Sequence, residues 1–345
     1  MTYILKKEDL INHLKPFGQE HLLNFWDRLT ESDRSNLAND IYSTNFGELN
    51  ECFKKVNHET SARQIDSLMQ PIPDELKGSF KNTSKEQLKA YEKEGLKVIS
   101  SDQVAVLLLA GGQGTRLGVD YPKGMYSVNL PSGKTLYQLQ AERLARVQQL
   151  AARENSKKSA TIPWYIMVSE QTLNSTKEFF SKNSYFGLDK DNIVFFKQGT
   201  LPCIDFNGKV ILDRENKISR APDGNGGLYR ALLNEKIIDD MEKRGIKYVH
   251  VYCVDNILVR MADPVFTGFC VSKNANCGSK VVEKINFDEQ VGVICKVGNR
   301  FQVVEYSEIS DETRKLRNAK GGLLYNAGNI CNHFFSIEFL SEICR

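Results

Sequence analysis

The stretch Val104–Gly124, VAVLLLAGGQGTRLGVDYPKG, joins an apolar run to a glycine-rich loop that ends in basic residues. Val104 to Leu109 is continuously apolar and not alternating, which predicts a strand of a parallel sheet covered on both faces. Gly111, Gly112 and Gly114 follow where the chain emerges. Without Cβ atoms, such a loop is free to take positive φ and to bring its amides against a flat base or a phosphate. Arg116 and Lys123, five and twelve residues after Gly111, add positive charge. An arginine fork suits paired phosphate oxygens, and a lysine acts as a compact point charge. The stretch reads as a phosphate- and base-binding loop.

Two other glycine loops fit less well. A dinucleotide-binding turn is matched by Gly112 and Gly114, but Leu117 stands where its third glycine belongs. A nucleoside-triphosphatase loop fits even less, because the glycines of this stretch are not followed by Gly-Lys-Ser or Gly-Lys-Thr.

Outward from this stretch the chain alternates strands and helices. Leu136, Leu139, Leu144, Val147 and Leu150 share a helix face, Trp164 to Val168 and Asn192 to Lys197 read as strands, and Ser175 to Phe180 as a connecting helix. Tyr248 to Val254 is a further apolar run. The order predicts an α/β fold with a doubly wound, mainly parallel sheet. Ligands of such sheets bind beyond the carboxyl ends of the strands, so the loops after Leu109, Lys197 and Val254 belong to one crevice. Ser279 to Ile285, Val291 to Val297 and Phe301 to Ile309 read as later strands, with a turn between the last two.

Residues 1–98 carry helical signals instead. Leu22, Trp26 and Leu29 recur at helix spacing, as do Leu49, Phe53 and Val56. Thr83 with Glu86, or Ser84 with Gln87, offers a capping box, and Gly95 is placed to stop the helix that follows. This region is expected to be a helical scaffold, the alternative being an arm or lid, and residues 99–345 a catalytic domain.

The 345 residues suffice for two domains and a large core. A hydrophobic content of 41%, a charged content of 26% and a net charge of +3 describe an ordinary globular protein with no call for nucleic acid or a membrane surface. No apolar run approaches the roughly 20 residues of a bilayer span, and the start lacks a secretory pattern. Eight cysteines without a Cys-x-x-Cys pair read as reduced, mostly buried thiols of a cytoplasmic protein. The five histidines lack zinc-ligand spacing.

Other places carry candidate chemistry. Gln198 follows a strand, and its amide offers a donor and an acceptor to a pyrimidine edge. Ala221 to Leu228, APDGNGGL, is a glycine-rich entry to a helix whose N-terminus favours an anion or a hydroxyl-rich ligand. Asp255 comes directly after an apolar strand, where a carboxylate beside a triphosphate is a natural magnesium ligand; a helix cap is the competing account. Glu305 and Tyr306, Gly292 and Asn326 are weaker signals. Each suits a sugar, and each suits a strand face, a bulge or a turn equally well.

The strings LLLAGGQGTRLG, YPKGMY, FFKQG, APDGNGGLYRAL, HVYCVDN, VVEKI, VVEYSEIS and NAGNICNHFF resemble the eukaryotic-type UDP-N-acetylhexosamine pyrophosphorylases over nearly the whole chain. The resemblance implies a Rossmann-like nucleotidyltransferase sheet. It implies that Leu109, Ala110, Gly111, Gly112, Gly114 and Gln198 hold the uridine nucleotide with Gly224 assisting, and that Arg116 and Lys123 are catalytic, facing the phosphates. Asn225, Gly292, Glu305, Tyr306 and Asn326 would hold the N-acetylated sugar, and Asp255 would orient Mg2+ and the nucleotide. The family reaction is UTP plus N-acetylglucosamine 1-phosphate giving UDP-N-acetylglucosamine and pyrophosphate. A monomer or homodimer is expected, without nucleic acid or membrane partners. Thr200 and Cys203 depart from the family pattern near the uridine side. The family continues beyond the position of Arg345 with a further phosphate-facing lysine, so a chain truncated at its C-terminus is expected. The competing readings are action on N-acetylgalactosamine or glucose 1-phosphate, and a UDP-sugar-binding fragment without catalysis.

Overall fold

The computed structural model describes residues 6–57, 62–114 and 117–345. Two compact units divide the chain: residues 1–61 with 200–224, and residues 62–199 with 225–345.

In the first unit, helices Lys7–Leu14, Glu31–Tyr42 and Phe46–Asn57 bury Leu10, Leu14, Leu37, Ile41 and Phe46 against Val210 and Ile218 of the returning segment. Gln19, 1% exposed, donates to the Gly208 carbonyl at 2.8 Å and accepts from the Val210 amide at 2.9 Å. A buried amide satisfied on both sides ties the two segments into one core. The boundary expected at residue 98 is therefore not where the units part. The N-terminal helices close their core with residues 200–224, and residues 62–98 belong with the sheet. Thr200 and Cys203 also lie in this first unit, on or beside the small strand pair of Thr200–Pro202 with Arg220–Pro222. Leu22, Trp26 and Leu29 do not share one α-helix. Leu22 and Trp26 enter the core from separate short 3-10 turns, Glu20–Leu23 and Trp26–Arg28.

The second unit is built on a nine-stranded sheet. Its centre is four parallel strands in the order Ile193–Lys197, Trp164–Val168, Val104–Leu109 and Tyr248–Cys253. Every residue of Val104–Leu109 and Trp164–Val168 is buried, as a continuous apolar run requires when both faces are covered. Successive side chains serve opposite faces. Val106 and Leu108 pack with Leu144, Ile166 and Phe180, while Ala105 and Leu107 pack with Leu228, Leu232, Ile238 and Leu340. The sheet continues antiparallel through Ala327–Ser336, which pairs with Tyr248–Cys253, with Cys277–Glu283 and, at Gly328, with Val293–Val297. Val293–Val297 and Arg300–Val304 form the expected hairpin. In chain order the parallel strands run third, second, first, fourth, so the direction of winding reverses between Val104–Leu109 and Tyr248–Cys253. That reversal is a topological switch point, the place where open α/β sheets bind ligands.

Helix Lys85–Ser100 begins at Ser84, whose hydroxyl accepts from the Gln87 amide at 3.1 Å, and runs straight through Gly95. Gly95 is thus not a stop. A Cβ there would overlap the Pro264 carbonyl, and a Cβ on Gly268 would overlap the Tyr91 carbonyl and come 2.8 Å from the Gly95 amide nitrogen. The two glycines let this helix cross helix Pro264–Ser272 backbone to backbone. Because both obstacles are main chain, Gly268→Ala is expected to cost about 3 kcal/mol, the upper part of the overpacking range, measured by denaturant unfolding of the folded chain.

The run Gly133-Lys134-Thr135 is not a phosphate loop. Gly133 closes a turn at φ +63, and Thr135 caps helix Leu136–Glu154 by accepting from the Gln138 amide at 3.3 Å.

His250, buried mid-strand, accepts the Ala262 amide at Nδ1 (2.9 Å) and so donates through Nε2 to Asn332 (2.6 Å). Burial lowers its pKa to about 4. A neutral ring with both nitrogens used holds the strand Tyr248–Cys253 that leads to Asp255.

Candidate active site

Three loops leave the sheet at one level. The Ala110 amide bonds to the Met167 carbonyl at 2.9 Å, Val254 to Leu109 at 3.1 Å and Gln198 to Val168 at 2.7 Å. Gly111, Gln198 and Asp255 therefore all lie at the carboxyl edge of the four parallel strands, where the crevice is expected. Leu109 and Ala110, which resemblance assigns to the nucleotide, are buried at its base.

Gly111 and Gly114 act through space and not through backbone angle, while Gly112 has room for a Cβ. Gly111, Gly112 and Gly114 are absent from the positive-φ residues, whereas Gly118, in the same loop, has φ +74. This corrects the expectation drawn from their freedom to turn. A Cβ on Gly111 would overlap Oε1 of Gln198 and lie 3.2 Å from its Cδ. The Gln198 amide thus lies directly against the Gly111 backbone. A Cβ on Gly112 would lie 3.9 Å from Nζ of Lys123. Gly114 is taken up by the loop's own closure: its amide bonds to the Tyr121 carbonyl at 3.0 Å, and a Cβ would overlap Val119.

Lys123 opens the single turn Lys123–Met125 after Pro122. Gly124 is pressed against the Tyr137 ring, where a Cβ would overlap the aromatic carbons. This accounts for Pro-Lys-Gly as a unit. The Lys123 ammonium meets Oδ1 of Asp255 at 2.8 Å, with the lysine side chain 17% exposed and the aspartate 61%. So open a pair contributes about 1 kcal/mol or less to stability. Its effect is to hold a cation and a carboxylate together across the switch point. Arg116 lies outside the described residues.

On the antiparallel side, both carboxylate oxygens of Glu305 lie 3.0 Å from the position of a Cβ on Gly292. The Gly292 carbonyl accepts from the Asn329 amide at 2.8 Å, and the Asn326 carbonyl accepts from Gly328 at 3.0 Å and Lys284 at 2.8 Å. Gly292, Glu305 and the Asn326 turn therefore form one cluster. Tyr306 is exposed beside Glu305, and Asn225 is exposed just before helix Gly227–Asn234. Gly224, at φ +73, belongs to the first unit and is exposed there.

Two features had no place in the sequence reading. Cys331 stands beside Cys253 at the end of the central strand, and its thiol hydrogen bond lowers the Cys253 pKa to about 7 against the effect of burial, while Cys331 is pushed well up. The Cys253 sulfur is 3.7 Å from Oδ2 of Asp255. Only the register of two strands distant in sequence creates this pair. The cysteines are also less buried than expected. Among them Cys270 and Cys295 are buried, and Cys52 and Cys277 are exposed. The second feature is Lys284, a buried lysine directly after strand Cys277–Glu283.

Among the described residues no three His, Cys, Asp or Glu side chains gather into a metal cage. Magnesium needs none when it arrives with a triphosphate, since one or two carboxylates suffice beside phosphate oxygens and water. Asp255 fits as that one carboxylate.

A parallel sheet with a glycine loop, a basic residue and a carboxylate meeting at its switch point defines a nucleotidyltransferase-type fold. The sequence profile of the UTP–glucose-1-phosphate uridylyltransferase family matches residues 45–345, and the chain belongs to that family. It is 54% identical over 331 residues to the UDP-N-acetylhexosamine pyrophosphorylase-like protein 1 of Xenopus tropicalis, covering 94% of this chain and 65% of that one. It is 53% identical to the human protein of the same name, covering 98% and 68%. The structure of the Trypanosoma brucei uridine diphosphate N-acetylglucosamine pyrophosphorylase, solved with an inhibitor, superposes with a TM-score of 0.83 at 31% identity, covering 100% of this chain and 69% of that one. The chain thus spans about two thirds of the length of these relatives. Among the described residues no helix is long and apolar enough to cross a membrane.

Proposed function

We propose that this chain transfers the uridylyl group of UTP to N-acetylglucosamine 1-phosphate, giving UDP-N-acetylglucosamine and pyrophosphate, and that it works in the cytoplasm with Mg2+. The observation that carries the reading is the meeting of Gln198 with Gly111, and of Lys123 with Gly112 and Asp255, at the switch point of the sheet. A flat base lies on the glycine backbone while the Gln198 amide reads its pyrimidine edge through paired donor and acceptor. Leu109 and Ala110 form the apolar floor. Lys123, with Arg116 by its place in the motif, faces the phosphates, and the cluster of Gly292, Glu305 and Asn326 takes the sugar with Tyr306 and Asn225.

The chemistry is in-line displacement at the α-phosphorus by an oxygen of the sugar phosphate, with pyrophosphate leaving and no covalent bond to the protein. Two anions must be brought together and oriented, which is the work of the binding clusters. Negative charge grows on the leaving pyrophosphate, and a fixed cation that waits in the site offsets it without reorganisation. Lys123 is such a cation. Asp255 would hold the magnesium ion, which supplies further charge neutralisation when bound.

Product analysis tests this directly. UTP offered with N-acetylglucosamine, N-acetylgalactosamine or glucose 1-phosphate is expected to give UDP-N-acetylglucosamine as the main product by mass spectrometry. A main product carrying another sugar would overturn the substrate assignment.

A further inference from the structure

Lys284 follows strand Cys277–Glu283 and is 4% exposed. Among the described residues its ammonium makes one hydrogen bond, to the Glu289 carbonyl at 3.1 Å. Burying an ammonium whose one hydrogen bond goes to a neutral carbonyl is costly, and the Glu289 and Asp288 carboxylates nearby do not outweigh the desolvation, so stability alone gives no reason for it. Desolvation lowers its pKa accordingly.

The surroundings supply a reason. Glu289 closes the loop from Ile285 to Val291 at both ends. Its carboxylate accepts from the Ile285 and Asn286 amides at 2.8 and 2.7 Å, and its carbonyl accepts from the Val291 amide at 2.8 Å as well as from Lys284. Gly292 is the next residue. On the other side, the Lys284 amide bonds to the Asn326 carbonyl at 2.8 Å, and its Cγ lies 3.4 Å from the position of a Cβ on Gly328. Lys284 therefore links the two: its main chain is bonded to the Asn326 turn, its stem lies against Gly328, and its ammonium reaches the loop that delivers Gly292 to Glu305.

We propose that Lys284 is a positioning residue that sets the spacing between Asn326 and the Gly292–Glu305 wall, and so governs binding of the sugar without touching the nucleotide. The inference rests on the reading that these residues hold the sugar. Lys284→Met keeps the buried stem and removes the hydrogen bond. By calorimetry on this chain, its Kd for UDP-N-acetylglucosamine is expected to rise about tenfold, the size of one lost charge-assisted hydrogen bond, while its Kd for UDP stays within about twofold. Glu289→Ala, which opens the same loop from its less buried side, is expected to act in the same direction, with the double variant no worse than the poorer single one. A merely structural lysine would weaken both ligands equally or neither, and either outcome overturns the proposal. If the unaltered chain does not distinguish UDP-N-acetylglucosamine from UDP, the sugar assignment itself fails. If it does and Lys284→Met and Glu289→Ala do equally well, this inference alone falls.

Discussion

Lys123→Ala is expected to lower pyrophosphate release from UTP and N-acetylglucosamine 1-phosphate by about 100- to 1000-fold, the usual effect of deleting one group that stabilises transition-state charge, and to leave the chain folded. The two halves of this result have different causes. Folding survives because the pair with Asp255 is solvent-exposed on the aspartate side and adds little stability. Turnover is expected to collapse because, in the proposed reaction, the same ammonium, held by the Pro122–Gly124 turn beside Gly112, is a preoriented cation where phosphate charge would develop. Lys123→Arg keeps the charge but not the compact shape, and is expected to restore only part of the loss. Kinetics at saturating substrates with a melting curve on each variant reads both halves. A Lys123→Ala enzyme within about fivefold of the unaltered rate removes this lysine from the mechanism, since the deletion effect is far larger.

Gly111→Ala is expected to raise the KM for UTP by about 10- to 100-fold, in line with the loss of a paired hydrogen-bonding contact and of close backbone approach. Its melting temperature is expected to stay nearly unchanged. The argument turns on what the added methyl meets. Gly111 takes no positive φ, so alanine brings no backbone strain. Its Cβ meets Oε1 of Gln198, the far end of a flexible side chain, and that amide swings aside at small cost in stability. On the proposed function, it swings away from the place where the base would be read. Gln198→Ala should therefore reproduce the KM effect, and the double variant should add little to either change because both remove the same contact. Additive effects in a thermodynamic cycle would show that the glycine and the glutamine serve separate purposes.

The parts of this fold that were legible in the sequence are the ones set by local pattern. Val104–Leu109 and Trp164–Val168 are continuously apolar because both faces are covered, and that covering follows from the alternation of strands and helices around them. From the strand ends alone, the carboxyl-edge rule correctly brought Gly111, Gln198 and Asp255 to one level. What escaped reading depends on partners far away in the chain. Gly95 looks like a helix stop until Gly268 and Pro264 are seen against it. Residues 200–224 look like part of the sheet domain until Gln19 is found bonded to Gly208 and Val210. The opening glycines were expected to supply unusual backbone angles, and Gly111 and Gly114 supply empty space for Gln198 and Val119 instead. Lys284 is one lysine among many in the sequence, and its burial becomes visible only when Asn326 and Glu289 close around it.

The central claim is that the switch-point cluster transfers a uridylyl group, and pyrophosphate release by this chain tests it most directly. UTP is mixed with N-acetylglucosamine 1-phosphate, with magnesium present or chelated, and each substrate is also left out in turn. The account predicts release only when UTP, the sugar phosphate and the metal are all present. Release that proceeds without the sugar phosphate, or no release with all three at saturation, would contradict it.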